Sequence, residues 1–112
     1  MDTVKVQVLR QAMGAYNKRT QAINSNLANL DTPGYRRMNV SFEEHLQEMR
    51  RGVPGVRDAD NLKSTVSLDA DAPVLEHEML DMAETGMRTQ MASRALREHF
   101  ELMRTGISGR SQ

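Results

Sequence analysis

The sequence predicts a mainly α-helical protein in which long N- and C-terminal helices pair as a coiled-coil-like bundle, joined by an irregular middle insert. Apolar residues recur at alternating spacings of three and four in both terminal thirds of the chain, which is the heptad pattern of paired helices. The N-terminal pattern stops at Pro33-Gly34, and the middle third shows no comparable period. We therefore divide the chain into an N-terminal helix and turn (1–33), an insert (34–73) and a C-terminal helix (74–112), with the two helices forming one inner domain.

The N-terminal helix is expected from about residue 4 to residue 30, a length of roughly 40 Å at about 1.5 Å per residue. An isolated helix of this kind is marginal in water, so packing has to stabilise it. Only Thr20 interrupts its apolar seam. The predicted packing residues are Val6, Leu9, Met13, Tyr16, Ile23, Leu27 and Leu30.

The C-terminal helix carries a second seam whose middle is small, at Gly86, Thr89 and Ser93. Small residues let a neighbouring helix approach closely, although glycine lowers helix propensity. The predicted packing residues are Leu75, Met79, Met82, Gly86, Leu96, Phe100, Met103 and Ile107.

A further apolar row lies beside this seam, at Leu80, Ala83, Met87 and Met91. Two interpretations fit its periodicity equally well. The helix is buried on two sides in a small bundle, or one seam packs on the N-terminal helix while the row contacts a different subunit.

The insert is expected to hold a short helix and a little β-structure. Helical spacing predicts the short helix at Phe42, Leu46 and Met49, and the GVPG sequence at 52–55 ends it. Residues 64–68 alternate weakly, as in a short strand. We expect residues 50–73 to form a flexible loop or a small protrusion.

Charge composition argues against nucleic-acid binding. Lys plus Arg and Asp plus Glu each number 15, so the formal net charge is zero, whereas nucleic-acid binders show a basic surplus or patch. Arg36, Arg37, Arg50 and Arg51 could form a local patch, but glutamates lie between them. We interpret these charges as a solvated helix face.

Other features of the composition exclude further classes of protein. The chain has no cysteine, which excludes a disulfide framework and thiol chemistry. No apolar run reaches the length that a bilayer requires, so no transmembrane segment is predicted. The first residues lack the apolar core of a secretory signal. Aromatic residues make up only 4%, which suggests that other subunits complete the core.

We expect no enzymatic activity, metal site or cofactor. Glu76, His77 and Glu78 are adjacent on a helix, so their side chains point to different faces and do not converge on a metal. His45 and His99 are isolated in the sequence. There is no glycine-rich phosphate loop and no nucleophile elbow.

The boundary between helix and insert is rich in asparagine, at Asn24, Asn26 and Asn29. In the predicted register, Asn24 and Asn26 lie beside the seam, where they can hydrogen-bond across helices at little cost in burial. Asn29 is placed to hold the chain that follows the helix. Residues 32–35 fit a type II turn, with proline second and glycine third.

Residues 26–36, NLANLDTPGYR, resemble the N-terminal signature of bacterial flagellar axial proteins. In that rod and hook family a long N-terminal helix ends in Asn-hydrophobic-Ala-Asn, followed by Thr-Pro-Gly-Tyr and a basic residue. The motif positions are Asn26, Leu27, Ala28, Asn29, Thr32, Pro33, Gly34, Tyr35 and Arg36.

The C-terminal third narrows the resemblance to the basal-body rod proteins. The segments LEHEM (75–79), SRAL (93–96) and LMRT (102–105) are similar to the end of the FlgB family of proximal rod proteins, more than to the sister FlgC family. The resemblance covers about residues 4–42 and 74–109. The chain departs from the family pattern at Thr85 and Thr89, where asparagine and tyrosine are usual.

This resemblance implies a structural subunit of the proximal rod, exported by the flagellar type III system without a cleaved signal and polymerising through its terminal helices. The implied partners are further copies, other rod proteins, the basal adaptor, and export-gate or membrane-ring components. The implied location is the flagellar basal body, in the periplasm. The alternatives are a FlgC-like or other axial protein and, more remotely, a helical adaptor or chaperone that folds alone.

Overall fold

The computed structural model describes residues 4–51 and 64–110, without the side chains of Val4 and residues 107–110. In chain order it contains α1 (Val4–Ala28), β1 (Met38–Ser41), α2 (Glu43–Arg51), β2 (Thr65–Leu68) and α3 (Leu75–Arg110). The mainly helical class with long terminal helices, a short middle helix and a little β-structure is confirmed. Within the described ranges, no helix combines the length and the apolar character that a membrane span requires.

Helices α1 and α3 pack against each other in antiparallel orientation. Asn26, near the end of α1, hydrogen-bonds to Glu78 in the first turn of α3. At the other end of the pair, the guanidinium of Arg10 lies 5.9 Å from the ring centroid of Phe100. The core combines alanines of both helices with Tyr16 of α1 and two residues of the insert: Ala12, Ala15, Tyr16, Ala22, Val40, Phe42 and Ala92.

Within this chain, α1 buries a wider face than the predicted seam. Of the seam residues, Val6, Tyr16 and Ile23 are buried and the others are partly buried. A second set of mostly small residues is also buried, at Val8, Ala12, Ala15, Ala22 and Asn26. Small side chains on α1 allow the neighbouring backbones to approach closely, which hydrophobicity alone does not indicate.

The packed face of α3 coincides with only half of the predicted seam. Glu78, Thr85 and Ala92 are buried at intervals of seven residues. Met82 and Thr89 are partly buried between them, and Leu96 and Met103 are partly buried farther along the helix. Of the predicted set, Leu75, Met79, Gly86 and Phe100 are exposed. These four positions therefore do not contribute buried contacts inside the subunit, whereas a role between subunits stays a prediction.

The insert packs against α1 through a two-stranded antiparallel sheet and the short helix α2. Strands β1 and β2 pair from Met38 with Leu68 to Ser41 with Thr65. The predicted strand at 64–68 and the predicted helix around Leu46 are thus both present. The predicted loop over 50–73 includes β2, and residues 52–63 of it lie outside the described part of the chain.

Arg19 on α1 clamps the start of α2. Its guanidinium forms a two-pronged ion pair with Glu43, at 2.6 and 2.8 Å, donates to the carbonyl of Val40, and lies 4.5 Å over the ring of Phe42. Burial opposes ionisation of Glu43, but the hydrogen bonds from Arg19 outweigh it and hold the pKa of that carboxyl below its ordinary value. The contact stabilises the packing of α2 beside the helix pair.

Candidate functional site

The chain leaves α1 through a tight turn at residues 32–35. The backbone N–H of Tyr35 donates to the carbonyl of Thr32 at 3.2 Å, and Gly34 has a φ of 80°. This combination, with proline second and glycine third, is the type II turn that the sequence predicts. The turn reverses the chain and directs it toward β1.

The side chain of Asn29 ties this turn to the end of α1. Its amide nitrogen donates to the carbonyl of Ser25 at 2.8 Å, and its amide oxygen accepts from the hydroxyl of Thr32 at 3.0 Å. Its carbonyl also accepts from the backbone N–H of Thr32. Asn29 therefore holds the chain after the helix, as its position in the sequence suggests.

We expect Gly34→Ala to destabilise the protein by about 1–2 kcal/mol, because a side chain at positive φ is strained for an L-residue. No neighbouring atom lies within 4 Å of the added methyl, so the cost comes from the backbone alone. Gly14→Ala is the matched control. Gly14 lies in mid-helix with equally open surroundings, so this change should stabilise α1 by about 1 kcal/mol. Urea denaturation of both variants tests the opposite signs; equal signs would contradict the turn assignment.

Asn26 is completely buried, and its amide uses all four of its hydrogen-bonding positions. The nitrogen donates to the carbonyl of Met38 and to Glu78 Oε1, at 2.9 and 2.8 Å. The oxygen accepts from the backbone N–H of Met38 at 2.9 Å and from the hydroxyl of Tyr35 at 3.2 Å. One side chain thus joins α1, the turn, β1 and α3. It lies within the packed interface, and not beside it as the predicted register suggests.

Arg37 joins the same interface from the first residue before β1. Its guanidinium contacts three carboxylates: Glu78 through Nε at 2.6 Å, Asp81 through Nη2 at 2.7 Å and Asp69 through Nη1 at 2.9 Å. The side chain of Glu78 is fully buried, whereas those of Asp69 and Asp81 are 40% and 28% exposed. Glu78 therefore has one oxygen on Arg37 and the other on Asn26, as a buried carboxylate requires.

Burial of Arg37 acts to lower its pKa, but the hydrogen bonds and charges of Glu78 and Asp69 outweigh burial and raise the pKa above its ordinary value. The guanidinium stays positively charged at every pH at which the protein folds.

The backbone adds two further contacts, from the N–H of Arg37 to the carbonyl of Asp71 and from the N–H of Asp69 to the carbonyl of Arg37. We call the group formed by Asn26, Tyr35, Arg37 and Glu78 the polar joint.

Comparison with known proteins finds a match for the segment that carries Asn26 and Tyr35 of this joint. Residues 7–36 match the family model of the flagella basal body rod protein. The flagellar basal body rod protein FlgB of Aeromonas hydrophila is 33% identical over 64 residues, which are 57% of this chain and 48% of that protein. Part of this chain is therefore similar to the flagellar basal body rod family and to a FlgB protein. The chain spans about half the length of the curated relative it matches.

The rod-family match covers most of α1 and the turn, and it ends at the residue before Arg37. It includes two members of the polar joint, Asn26 and Tyr35, whereas Arg37 and Glu78 lie outside it. The motif residue Arg36 is exposed and donates to the carbonyls of Leu68 and Asp69, at 3.0 and 2.8 Å. It holds the end of β2 to the chain that leaves the turn.

Sequence reasoning missed the two charged members of the joint. Arg37 is not part of a solvated helix face, as its charge pattern suggested: it precedes a strand, and its side chain is only 13% exposed. In the sequence, Glu78 stands out only as a neighbour of Glu76 and His77. One signal could have indicated it, since Glu78, Thr85 and Ala92 recur at the heptad interval. In the described part of the chain, no cluster of His, Asp or Glu has the composition of a metal site.

The second apolar row of α3 is exposed to solvent in the subunit. Leu80, Met87 and Met91 are 66%, 64% and 68% exposed, and Ala83 is exposed beside them. An exposed apolar stripe of this length is typical of a contact surface. Inside one subunit, α3 is therefore not buried on both the seam side and the side of the second apolar row.

Proposed function

We propose that this chain is a structural subunit of the proximal flagellar rod and that it polymerises through its terminal helices. The observation that carries the proposal is the rod-family match over α1 and the turn, on a subunit whose other long helix exposes an apolar stripe. A FlgB relative supports the proximal position. The role is mechanical and not enzymatic.

The polar joint suits a subunit that transmits mechanical force. Four segments of the chain meet at Asn26 and Glu78, and nearly every polar atom there has a partner in the subunit. Fully satisfied buried polar networks favour one arrangement of the packed elements. We infer that the joint holds the insert at a fixed angle to the inner helix pair.

The proposal includes export and location. The chain leaves the cytoplasm through the flagellar type III system and is incorporated in the basal body. Its partners are further copies, other rod proteins, the basal adaptor, and export-gate or membrane-ring components. Deleting the gene should abolish motility and the rod, and a tagged chain should be present in isolated basal bodies. Motile cells after deletion would contradict the proposal.

The exposed stripe gives a sharper test. We expect Met87→Asp to leave the helical content of the purified subunit unchanged, because this side chain is 64% exposed. In cells, the same change should abolish rod assembly, because an unpaired carboxylate would be buried between subunits. Gln90→Asp, on an exposed position of the same helix turn, is the control and should assemble. Swimming-plate motility and basal-body composition measure both outcomes; normal assembly of Met87→Asp would contradict a role for this stripe.

A further inference from the structure

Three methionines share one exposed face of α3. Met79, Met87 and Met91 are 58%, 64% and 68% exposed. They are spaced eight and four residues apart, so they lie within about 120° around the helix axis at about 3.6 residues per turn. Met87 and Met91 belong to the exposed apolar row of α3, and Met79 lies beside that row. We call these three residues the methionine face.

The other methionines in the described part of the chain are less accessible. Met13, Met38, Met82 and Met103 are partly buried. Met49 lines the same open groove as Met87 and Met91, which has a volume of about 840 Å³, but it is only 4% exposed. A small dissolved oxidant therefore reaches the methionine face far more readily than it reaches Met49.

The thioether is the only sulfur group that an oxidant meets on this chain, because the sequence has no cysteine. Hydrogen peroxide transfers one oxygen atom to the sulfur of methionine. The O–O bond breaks, an S–O bond forms, the sulfur loses two electrons and water leaves. Oxidation thus converts an apolar side chain into a polar sulfoxide without adding a charge.

We propose that the methionine face is a reversible oxidation site, at which peroxides prevent the free subunit from assembling. All three side chains are exposed, so their sulfoxides stay hydrated in the free subunit and leave its fold intact. In the rod, the same sulfoxides would be buried against an apolar neighbour, which is unfavourable for a polar group without a partner. The effect on assembly rests on the proposed rod function, whereas the oxidation site itself does not.

Reduction of the sulfoxides restores the apolar face. The chain has no thiol of its own, so the electrons come from methionine sulfoxide reductases, of which one acts on each sulfoxide epimer. Two thiols supply two electrons and two protons, the S–O bond breaks, the oxygen leaves as water and the thiols form a disulfide. Reduction should therefore return the subunit to its assembling form.

Mass spectrometry of the purified full chain tests the oxidation site. The chain is treated with hydrogen peroxide and quenched at intervals, and sulfoxide is measured at each methionine. We expect the methionine face to be oxidised at least about tenfold faster than Met49, because oxidation follows exposure. Far-UV circular dichroism should not change over this period. In urea the rates should become equal, because unfolding exposes every methionine. Equal rates without urea, or loss of helical content while Met49 is still reduced, would contradict the site.

An oxidation-resistant variant tests the effect on assembly. Met79→Leu, Met87→Leu and Met91→Leu are combined, because leucine keeps the volume and the apolar character of methionine but has no sulfur. Native and variant chains are each induced in a deletion strain with and without hydrogen peroxide, and the chain in isolated basal bodies is measured. Peroxide should lower incorporation of the native chain about fivefold and that of the variant less than about twofold. Met49→Leu is the matched control and should stay as sensitive as the native chain.

The outcomes separate this inference from the rod function. Equal losses for the native chain and the variant would show that peroxide acts elsewhere, and would overturn the inference. A loss that persists after peroxide is removed, in cells that contain both reductases, would do the same. If the triple variant assembles poorly without peroxide, Met91→Leu takes its place and should be protected in part. Absence of the native chain from basal bodies without peroxide would refute the rod function instead, and the oxidation rates of the purified chain would still decide the site.

Discussion

Replacing Arg37 with methionine is expected to destabilise the subunit by about 3–5 kcal/mol, the range found when one partner of a buried ion pair is removed. The Glu78 side chain is 0% exposed, so its carboxylate would stay buried with Asn26 as its remaining partner. Asp69 and Asp81 would also lose a cation, but both reach solvent and lose less. Urea denaturation followed by far-UV circular dichroism measures the loss.

Arg36→Met is the matched control, because the neighbouring guanidinium is exposed and bonds only to two backbone carbonyls. We expect it to cost about 1 kcal/mol. Combining Arg37→Met with Glu78→Leu should recover most of the loss, since an apolar pair removes the unpaired charge. Equal costs for Arg36→Met and Arg37→Met, or no recovery in the double variant, would show that the buried ion pair is not what stabilises the joint.

Asn26→Asp is expected to destabilise the subunit by about 3 kcal/mol or more, although the two side chains have nearly the same shape. The aspartate has no N–H, so the carbonyl of Met38 and Oε1 of Glu78 lose the donor that each now has. Each buried polar group left without a partner costs about 1–3 kcal/mol. The change also places a second carboxylate where the amide nitrogen now lies, 2.8 Å from Glu78 Oε1.

The penalty of Asn26→Asp should depend on pH with a defined sign. Burial and the adjacent Glu78 raise the pKa of the new carboxyl in the folded state above the unfolded value of about 3.9. Folding then favours the neutral form of the introduced carboxyl group over its carboxylate. The loss of folding stability caused by Asn26→Asp is therefore smallest at a pH below the pKa of the unfolded state, and it grows as the pH rises through that pKa. Asn24→Asp, on an exposed position of α1, is the control measured at each pH. A penalty that is constant with pH would contradict the like-charge argument.

Both variants also test the mechanical role that we propose for the joint. If the joint holds the insert at a fixed angle to the helix pair, Arg37→Met and Asn26→Asp should reduce motility while the chain is still secreted. Their controls, Arg36→Met and Asn24→Asp, should swim normally. Amounts of the chain in the culture medium and in basal bodies separate a failure of export from a failure of assembly.

Much of the fold could be predicted from the sequence because the relevant signals are local. The period of apolar residues indicates α1 and α3 within a few residues of their bounds. Pro33 and Gly34 restrict their own backbone conformations, so the turn follows from adjacent residues. The spacing around Leu46 indicates α2 for the same reason.

The register of α3 could not be predicted in this way. A hydrophobic pattern places Met79 and Phe100 inside and Glu78 outside, whereas the structure has Glu78 fully buried and Met79 58% exposed. A one-residue difference in a helix rotates the facing side chain by about 100° at about 3.6 residues per turn. Which face of α3 packs inward depends on the residues that bind Glu78, and the hydrophobic pattern does not include them.

The sequence by itself determined the two long helices, the turn that ends the first, and the resemblance to the rod proteins. Only the tertiary structure decided that Glu78 is inside, that Arg37 links it to Asp81, and that the Leu80 row faces outward. The physical reason is that burying a charge costs several kcal/mol unless a partner is present. Here the partners of Glu78 come from residues 41 and 52 positions away along the chain, and only folding brings them together.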